Sequence, residues 1–217
     1  MMVTDPNMAV LTPDSPHYPD GLRRFLADRA PSAINARGNI EILERPTLAL
    51  FTSVRCPGNL ILQIYDIARA LRDRHVTIIG GFHTPMEKEC LHLLLRGKAS
   101  VIICPARTID GYRLPLDWRK PLEDGRLLLL SSFTTARRRP TAGLAIARNE
   151  LVAAIADDIL VTFAAPGGKT ESLAIQILAC GKPVFTLNAP ENRVLIGLGA
   201  TGVELTNHQP SVAATVA

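Results

Sequence analysis

Ile159-Leu160-Val161-Thr162-Phe163-Ala164-Ala165-Pro166-Gly167-Gly168-Lys169-Thr170 is the stretch that decides the fold. It opens as a run of apolar and β-branched residues, the composition of a buried strand, and breaks at Pro-Gly-Gly. From Thr170 to Ala179 the spacing becomes helical, and Gly181 supplies the stop. A strand that passes through glycines into a helix sets backbone amides, a lysine and a threonine hydroxyl at the positive end of the helix dipole, where an anion is held. The full phosphate-loop pattern G-x-x-x-x-G-K-[ST] is not met, because its first glycine would fall at Phe163.

The same alternation runs through the chain from Pro46 onward. Strands are expected at 47–52, 75–79, 100–104, 127–130, 159–163 and 183–187, with helices at 59–73, 85–96, 141–156 and 170–179 between them. Runs apolar throughout, such as Val101-Ile102-Ile103, suit strands covered on both faces. The pattern predicts an α/β fold: a Rossmann-like, doubly wound, mainly parallel sheet with helices on both faces and ligand chemistry at the carboxyl ends of its strands. The segment 105–124 reads as a long irregular loop. Residues 1–45, rich in proline with a short helical run at 21–29, are expected as an arm or cap packed on a main domain at 46–206. Residues 207–217, small and polar, are expected as a flexible tail.

With 217 residues, 47% of them hydrophobic, and no long polar linker, one continuous core is expected. No stretch approaches the roughly 20 apolar residues of a membrane helix, and the N-terminus lacks a basic region followed by an apolar one, which predicts a cytoplasmic protein without membrane contact. Cys56, Cys90, Cys104 and Cys180 form no C-x-x-C pair, so reduced thiols, no structural zinc and no cofactor are expected. The net charge of +4 is modest, but arginine concentrates in one region: Arg107, Arg113, Arg119, Arg126, Arg137-Arg138-Arg139 and Arg148. That concentration marks a candidate anion-binding surface.

The residues just past each expected strand are Ser53 and Arg55, Gly80-Gly81-Phe82, Arg107, Ser131-Ser132 and the Pro166 to Thr170 turn. In a doubly wound sheet they converge on one rim. Arg55 and Arg148 have the fork geometry to clamp phosphate oxygens, and Lys169 carries a mobile positive charge. Gly80, Gly81, Gly167 and Gly168 would let a ligand approach the backbone, Thr170 would donate at a helix start, and Asn149 follows Arg148 as a second polar group. Arg137, Arg138 and Arg139 would extend the contact along a strand, with Phe82 and Tyr112 as stacking surfaces for bases. Blander alternatives stand beside these: a solvated helix face for Arg148, a solvated turn for Arg137 to Arg139, and burial for Phe82. His83 and Glu87 share a helical face near His92, but no third metal ligand is apparent and they read better as polar residues at a helix start. Ser131 and Ser132 have no base nearby and no G-x-S-x-G turn, so a serine nucleophile is not supported.

Taken in order, these motifs resemble those of the DNA-processing protein A (DprA/Smf) family. Tyr18-Pro19, Leu22, Ala30-Pro31 and Arg37-Gly38-Asn39 resemble the family's lead-in, and Ser53-Val54-Arg55 its first strand-end motif. Gly80-Gly81-Phe82 through Glu87, Leu128 to Phe133, Ala147-Arg148-Asn149, Gly168-Lys169-Thr170 and Gly181-Lys182-Pro183-Val184-Phe185 follow at matching places. The match spans about positions 18 to 204 and departs from the pattern at Glu87 (usually Asp), Ser132 (Glu), Glu150 (Arg) and Lys169 (Gly). The resemblance covers the family's Rossmann-like domain and neither the C-terminal winged-helix domain nor the N-terminal helical domain that many members carry. It implies binding of single-stranded DNA or a nucleotide phosphate in a basic pocket, a homodimer, and a RecA-type recombinase as partner.

Two alternatives stay open. Pro166-Gly167-Gly168-x-Thr170 partly resembles the motif of the LOG phosphoribohydrolases, which would make the chain an N-glycosidic hydrolase of a nucleoside 5'-monophosphate with Arg148 and Glu171 as catalytic candidates. The other is a sensor of a small nucleotide without catalysis.

Overall fold

β3 (Thr47–Thr52) is buried along its whole length, and its alternate side chains feed two different cores. Leu48 and Leu50 pack to one side, Ala49 and Phe51 to the other, as the two-residue period of a strand covered on both faces requires. The chain's computed structural model describes residues 8–133, 137, 139–206 and 209–210. Numbered along the chain and read across the sheet, the strands are β1 (Met8–Leu11), β2 (Ile34–Gly38), β6 (Leu127–Ser131), β5 (Ser100–Ile103), β4 (Thr77–Gly80), β3, β7 (Asp158–Phe163), β8 (Val184–Leu187) and β9 (Thr201–Val203). β3 to β9 run parallel, and β2 pairs antiparallel with both β1 and β6. This is the α/β Rossmann-like architecture expected from the sequence.

Helices α2 (Gly58–Arg72), α3 (Pro85–Leu95) and α4 (Leu116–Glu123) cover one face of the sheet. Helices α1 (Asp20–Leu26), α5 (Ala142–Ile155), α6 (Lys169–Ala179) and α7 (Arg193–Gly197) cover the other. The change of face has a topological cause. The chain lays down β3, β4, β5 and β6 in one direction, then α5 carries it back across the sheet to start β7 on the far side of β3. Right-handed crossovers in opposite directions put their helices on opposite faces. β3 and β7 therefore flank the switch point, and the loops that leave their carboxyl ends diverge.

Two regions differ from expectation. Within 1–45, β1 and β2 are not merely packed on the body but extend its sheet, with Ala36 opposite Leu130. Ile34 and Ala36 are buried while Asn35 and Arg37 are half-buried, so β2 alternates as an edge-side strand does. Its polar composition, Ile-Asn-Ala-Arg-Gly, hides that alternation from a search for apolar runs. Within 105–124, α4 forms despite Pro121 inside it and a predominantly polar sequence, anchored by Trp118 and Leu122 against the core. Residues 207, 208 and 211–217 of the expected tail lie outside the described residues.

The switch-point pairing is locked at its amino end. The Asp157 carboxylate accepts from the Thr47 amide (2.9 Å) and hydroxyl (3.0 Å), and the Asp157 amide donates back to the same hydroxyl (3.1 Å). Lys182 closes α5 beside it, donating to the carbonyls of Ala153 (2.7 Å), Ala154 (2.9 Å) and Ala156 (2.6 Å) while it lies over the Phe25 ring of α1. A cation at a helix carboxyl end satisfies acceptors that have no intrahelical donor. Burial pushes its pKa down, and the Asp157 carboxylate opposes the shift. Lys182→Met leaves those carbonyls without their shared donor and is expected to cost about 2 kcal/mol. Urea unfolding would show this as a lower midpoint at unchanged slope.

Candidate functional site

Where the loops after β3 and β7 part, a cleft of about 430 Å3 opens. Phe51, Thr52 and Val54 come from the end of β3, His83, Thr84 and Glu87 from the start of α3, Asn149 and Glu150 from α5, and Lys169, Thr170 and Gln176 from α6.

Glu87 forms part of its floor at 1% exposure. One carboxylate oxygen accepts from the Thr52 amide (3.1 Å) and the other from the His83 (3.0 Å) and Thr84 (3.4 Å) amides, while the Thr84 hydroxyl accepts from the Glu87 amide (3.2 Å). This reciprocal capping box starts α3 and ties it to the end of β3. The Thr84-x-x-Glu87 spacing carried that signal in the sequence. His92 approaches Asp117 at 3.9 Å instead of joining His83 and Glu87, and among the described residues no group of three His, Cys, Asp or Glu side chains could hold a metal.

Arg148 is the surprise of the site. Expected on the rim as a phosphate clamp, it is 1% exposed, with Nη1 donating to the Cys104 carbonyl (3.1 Å) and Nε to Asn149 Oδ1 (2.7 Å). Nη2 lies 2.9 Å from His83 Nδ1, which is also 3.1 Å from Glu87 Oε2. The same His83 nitrogen thus stands between the Arg148 guanidinium and the Glu87 carboxylate. The guanidinium rests flat on Gly81, where a Cβ would lie 1.7 Å from Nη1. Gly81 thus makes room for Arg148, in place of the ligand approach expected of it. Burial pushes the arginine's pKa down and the Glu87 charge pulls it back up. The next residue, Phe82, is also buried, with φ 45° in the left-handed region that costs a non-glycine residue about 1 kcal/mol. Its ring belongs to the core and is withdrawn from base stacking.

The turn after β7 is held from within. The Ser53 hydroxyl accepts from the Ala165 amide (2.9 Å), and the Glu171 carboxylate reaches back to the Gly167 amide (2.7 Å) across a left-handed glycine at φ 69°. Ser53 and Glu171 position the loop. Gly168 caps α6 without a side-chain bond, and the first residues of the helix, Thr170 and the exposed Lys169, line the cleft. Glu150 is neutralised by Arg29 at 2.8 Å. With Glu87 set against Arg148 and Glu150 against Arg29, the charges left around the mouth are Glu171, bonded to its own loop, and two cations without an acidic partner among the described residues, Lys169 and Arg55, the latter exposed on the adjoining turn.

Arg107, Arg137 and Arg139 lie elsewhere on the rim, past β5 and β6. There the Ser131 hydroxyl donates to the Arg107 carbonyl (2.7 Å) and the Thr108 amide to the Arg137 carbonyl (2.9 Å). Arg137 and Arg139 are exposed, and Arg138 lies outside the described residues. Gly80, at the end of β4, lies beneath the Phe82 ring. The sequence-level site is therefore split: Asn149, Gly168, Lys169 and Thr170 gather at the cleft with Arg55 beside it, while the arginine-rich loops stand three strands away.

The family profile for DNA recombination-mediator protein A matches residues 9–206. The chain belongs to this family. DNA processing protein A from Streptococcus pneumoniae has the same fold at 17% identity and a TM-score of 0.76, covering 91% of this chain and 71% of that one. The Helicobacter pylori protein, whose structure was described for its single-stranded DNA binding mode, matches at 21% identity and a TM-score of 0.75, over 96% and 95%. A molybdenum cofactor binding protein from Rippkaea orientalis is a looser likeness, at 12% identity and 0.53 over 74% and 90%. No curated protein matches the chain. The family agrees with the resemblance drawn from the motifs, and the fold is held in common at low identity.

The Arg148 and Gly81 contact makes a double-mutant test. Gly81→Ala is expected to destabilise the protein by about 2 kcal/mol through overpacking. In an Arg148→Ala background the same change should cost far less, giving a coupling of at least about 1 kcal/mol by thermal or urea unfolding. Additive effects would show that the guanidinium does not occupy this place in solution.

Proposed function

We propose that this DNA recombination-mediator protein A family member binds single-stranded DNA, seating a phosphate at the mouth of the cleft between the β3 and β7 loops. The observation that carries this is the surplus of positive charge where the helix amides point. Lys169 and Arg55 have no acidic partner among the described residues, whereas Glu87 and Glu150 each face an arginine. Lys169, the Thr170 hydroxyl and the first amides of α6 then form the anion seat, with Arg55 holding a neighbouring phosphate. Asn149 presents polar atoms to a nucleotide from the opposite wall. Arg148, Glu87, Ser53 and Glu171 are positioning residues that shape the seat without touching the strand.

The Helicobacter pylori relative's described binding of single-stranded DNA supports the choice of strand over mononucleotide. In the same proposal the protein works in the cytoplasm as a pair of copies and passes its strand to a RecA-type recombinase, as the family resemblance implies.

Binding of a labelled oligothymidine strand, measured at several salt concentrations, tests the seat. Lys169→Ala and Arg55→Ala should each weaken binding and flatten the salt dependence by about 0.7 in log-log slope, one phosphate's worth for a single strand. Neither should shift the melting temperature, because both side chains are exposed and unpaired. Arg148→Ala should lose binding together with stability, by about 3 kcal/mol, since it strips the guanidinium from a buried network. Absence of binding by the unmodified protein at low salt would sink the proposal.

A further inference from the structure

At the other end of the carboxyl rim, the loop between β5 and α4 carries an aromatic pair that the cleft does not use. Tyr112 and Trp118 stack nearly parallel, with ring centroids 6.2 Å apart and planes 12° from one another. The Arg107 guanidinium lies 5.2 Å over the Tyr112 ring, and Arg37 on β2 donates to the Tyr112 carbonyl at 3.1 Å. Both rings rest against the core on one side yet remain only half-buried. Beside them is a recess of about 400 Å3 lined by Arg37, Tyr112, Arg113, Arg119 and a single carboxylate, Glu123. Arg113 and Arg119 are exposed and bond no acid among the described residues. On α4 and its end, Asp124 lies 3.2 Å from Lys120 and Asp117 3.9 Å from His92.

Exposed arginines such as Arg113 and Arg119 beside half-buried rings are the equipment for single-stranded nucleic acid: phosphates take the charge, and an unpaired base takes the free part of a ring. A duplex would keep its bases from the rings, and an acidic peptide would leave the rings without a partner. The loop hydrogen bonds from Ser131 to Arg107 and from Thr108 to Arg137 make this recess continuous with the exposed Arg137 and Arg139 on the rim. From β3 to β6 the rim spans three strand spacings, about 14 Å, a distance that about four stacked nucleotides cover.

We propose that the recess beside Tyr112 and Trp118 is a second contact segment for the strand seated in the cleft, with a base stacked on the aromatic pair and phosphates held by Arg113 and Arg119. This rests on strand binding at the cleft and adds its direction, from the β3 and β7 loops across β4 and β5 to the β6 edge.

Trp118 is the chain's only tryptophan, so its emission reports on the recess alone. The full chain is titrated with oligothymidine strands of about 2 nucleotides, too short to span the rim, and of about 16, the upper end of site sizes for small binding domains. Anisotropy of an end label follows binding, and tryptophan emission follows occupancy of the recess. The long strand should quench the emission saturably, and the short one should bind without quenching. The double variant Arg113→Ala with Arg119→Ala should weaken the long strand about tenfold and flatten its salt slope by about 1.4, leaving the short strand unchanged. Lys169→Ala should weaken both. Long-strand binding with neither quenching nor sensitivity to the double variant would overturn the recess and leave the cleft standing. Quenching that survives Lys169→Ala at full affinity would separate the two sites and overturn the shared path. Failure of either strand to bind at low salt would remove the cleft itself.

Discussion

The guanidinium of Arg148 lies over Gly81 with its donors turned to the Cys104 carbonyl, His83 Nδ1 and the Asn149 side chain, and the carboxyl edge of the sheet is arranged around it. α5 is the helix that returns the chain across the sheet, and this one side chain fastens it to the ends of β4 and β5. A charge buried so completely persists only where hydrogen bonds and an opposite charge answer it. Glu87 supplies that charge, and its own oxygens hold the amides at the end of β3 and the start of α3. α5, the start of α3 and the ends of β3, β4 and β5 are thereby held in fixed relation.

Such a clamp changes how the site's chemistry is divided. Interior ions serve shape, and the ions free to meet a ligand are those left over at the surface. Glu87 is set against Arg148 and Glu150 against Arg29, which leaves Lys169 and Arg55 outnumbering Glu171 at the cleft mouth. An exposed lysine above uncapped helix amides is suited to an anion, because the dipole and the point charge act in the same direction without a buried group having to be displaced. The departure of Glu150 from the family's usual arginine is balanced locally by Arg29, a residue far away in sequence. The basic character of the rim is in this way maintained by tertiary pairing.

The edge beyond β6 shows the same division between framework and surface. β2 seals the parallel sheet with an antiparallel strand and carries Arg37, whose bond to the Tyr112 carbonyl steadies the loop that presents the aromatic pair. The rings sit on the core by their inner edges and keep outer surface available, a compromise that a wholly buried pair would not make.

The sequence by itself determined the parallel body of the fold. The runs at 47–52, 100–104 and 159–163 are apolar but for Thr47, Thr52, Ser100 and Thr162 because both faces of those strands are covered, and the helices between them show their stripe because one face is not. The turn from Pro166 to Thr170 was legible for the same local reason: glycine, lysine and threonine at a strand-to-helix junction have few other uses. The roles of individual polar residues were decided only by tertiary structure. Nothing local distinguishes a solvated arginine from one lying on a glycine 67 positions earlier, which is how Arg148 and Gly81 are paired. Nor does the polar run of β2 reveal that it will find β6, since an edge-side strand is stabilised by a ladder to a distant partner more than by its own apolar content. Periodicity records which face of an element is covered. What an ion meets across the fold depends on contacts between residues far apart in the chain, and those exist only once it has folded.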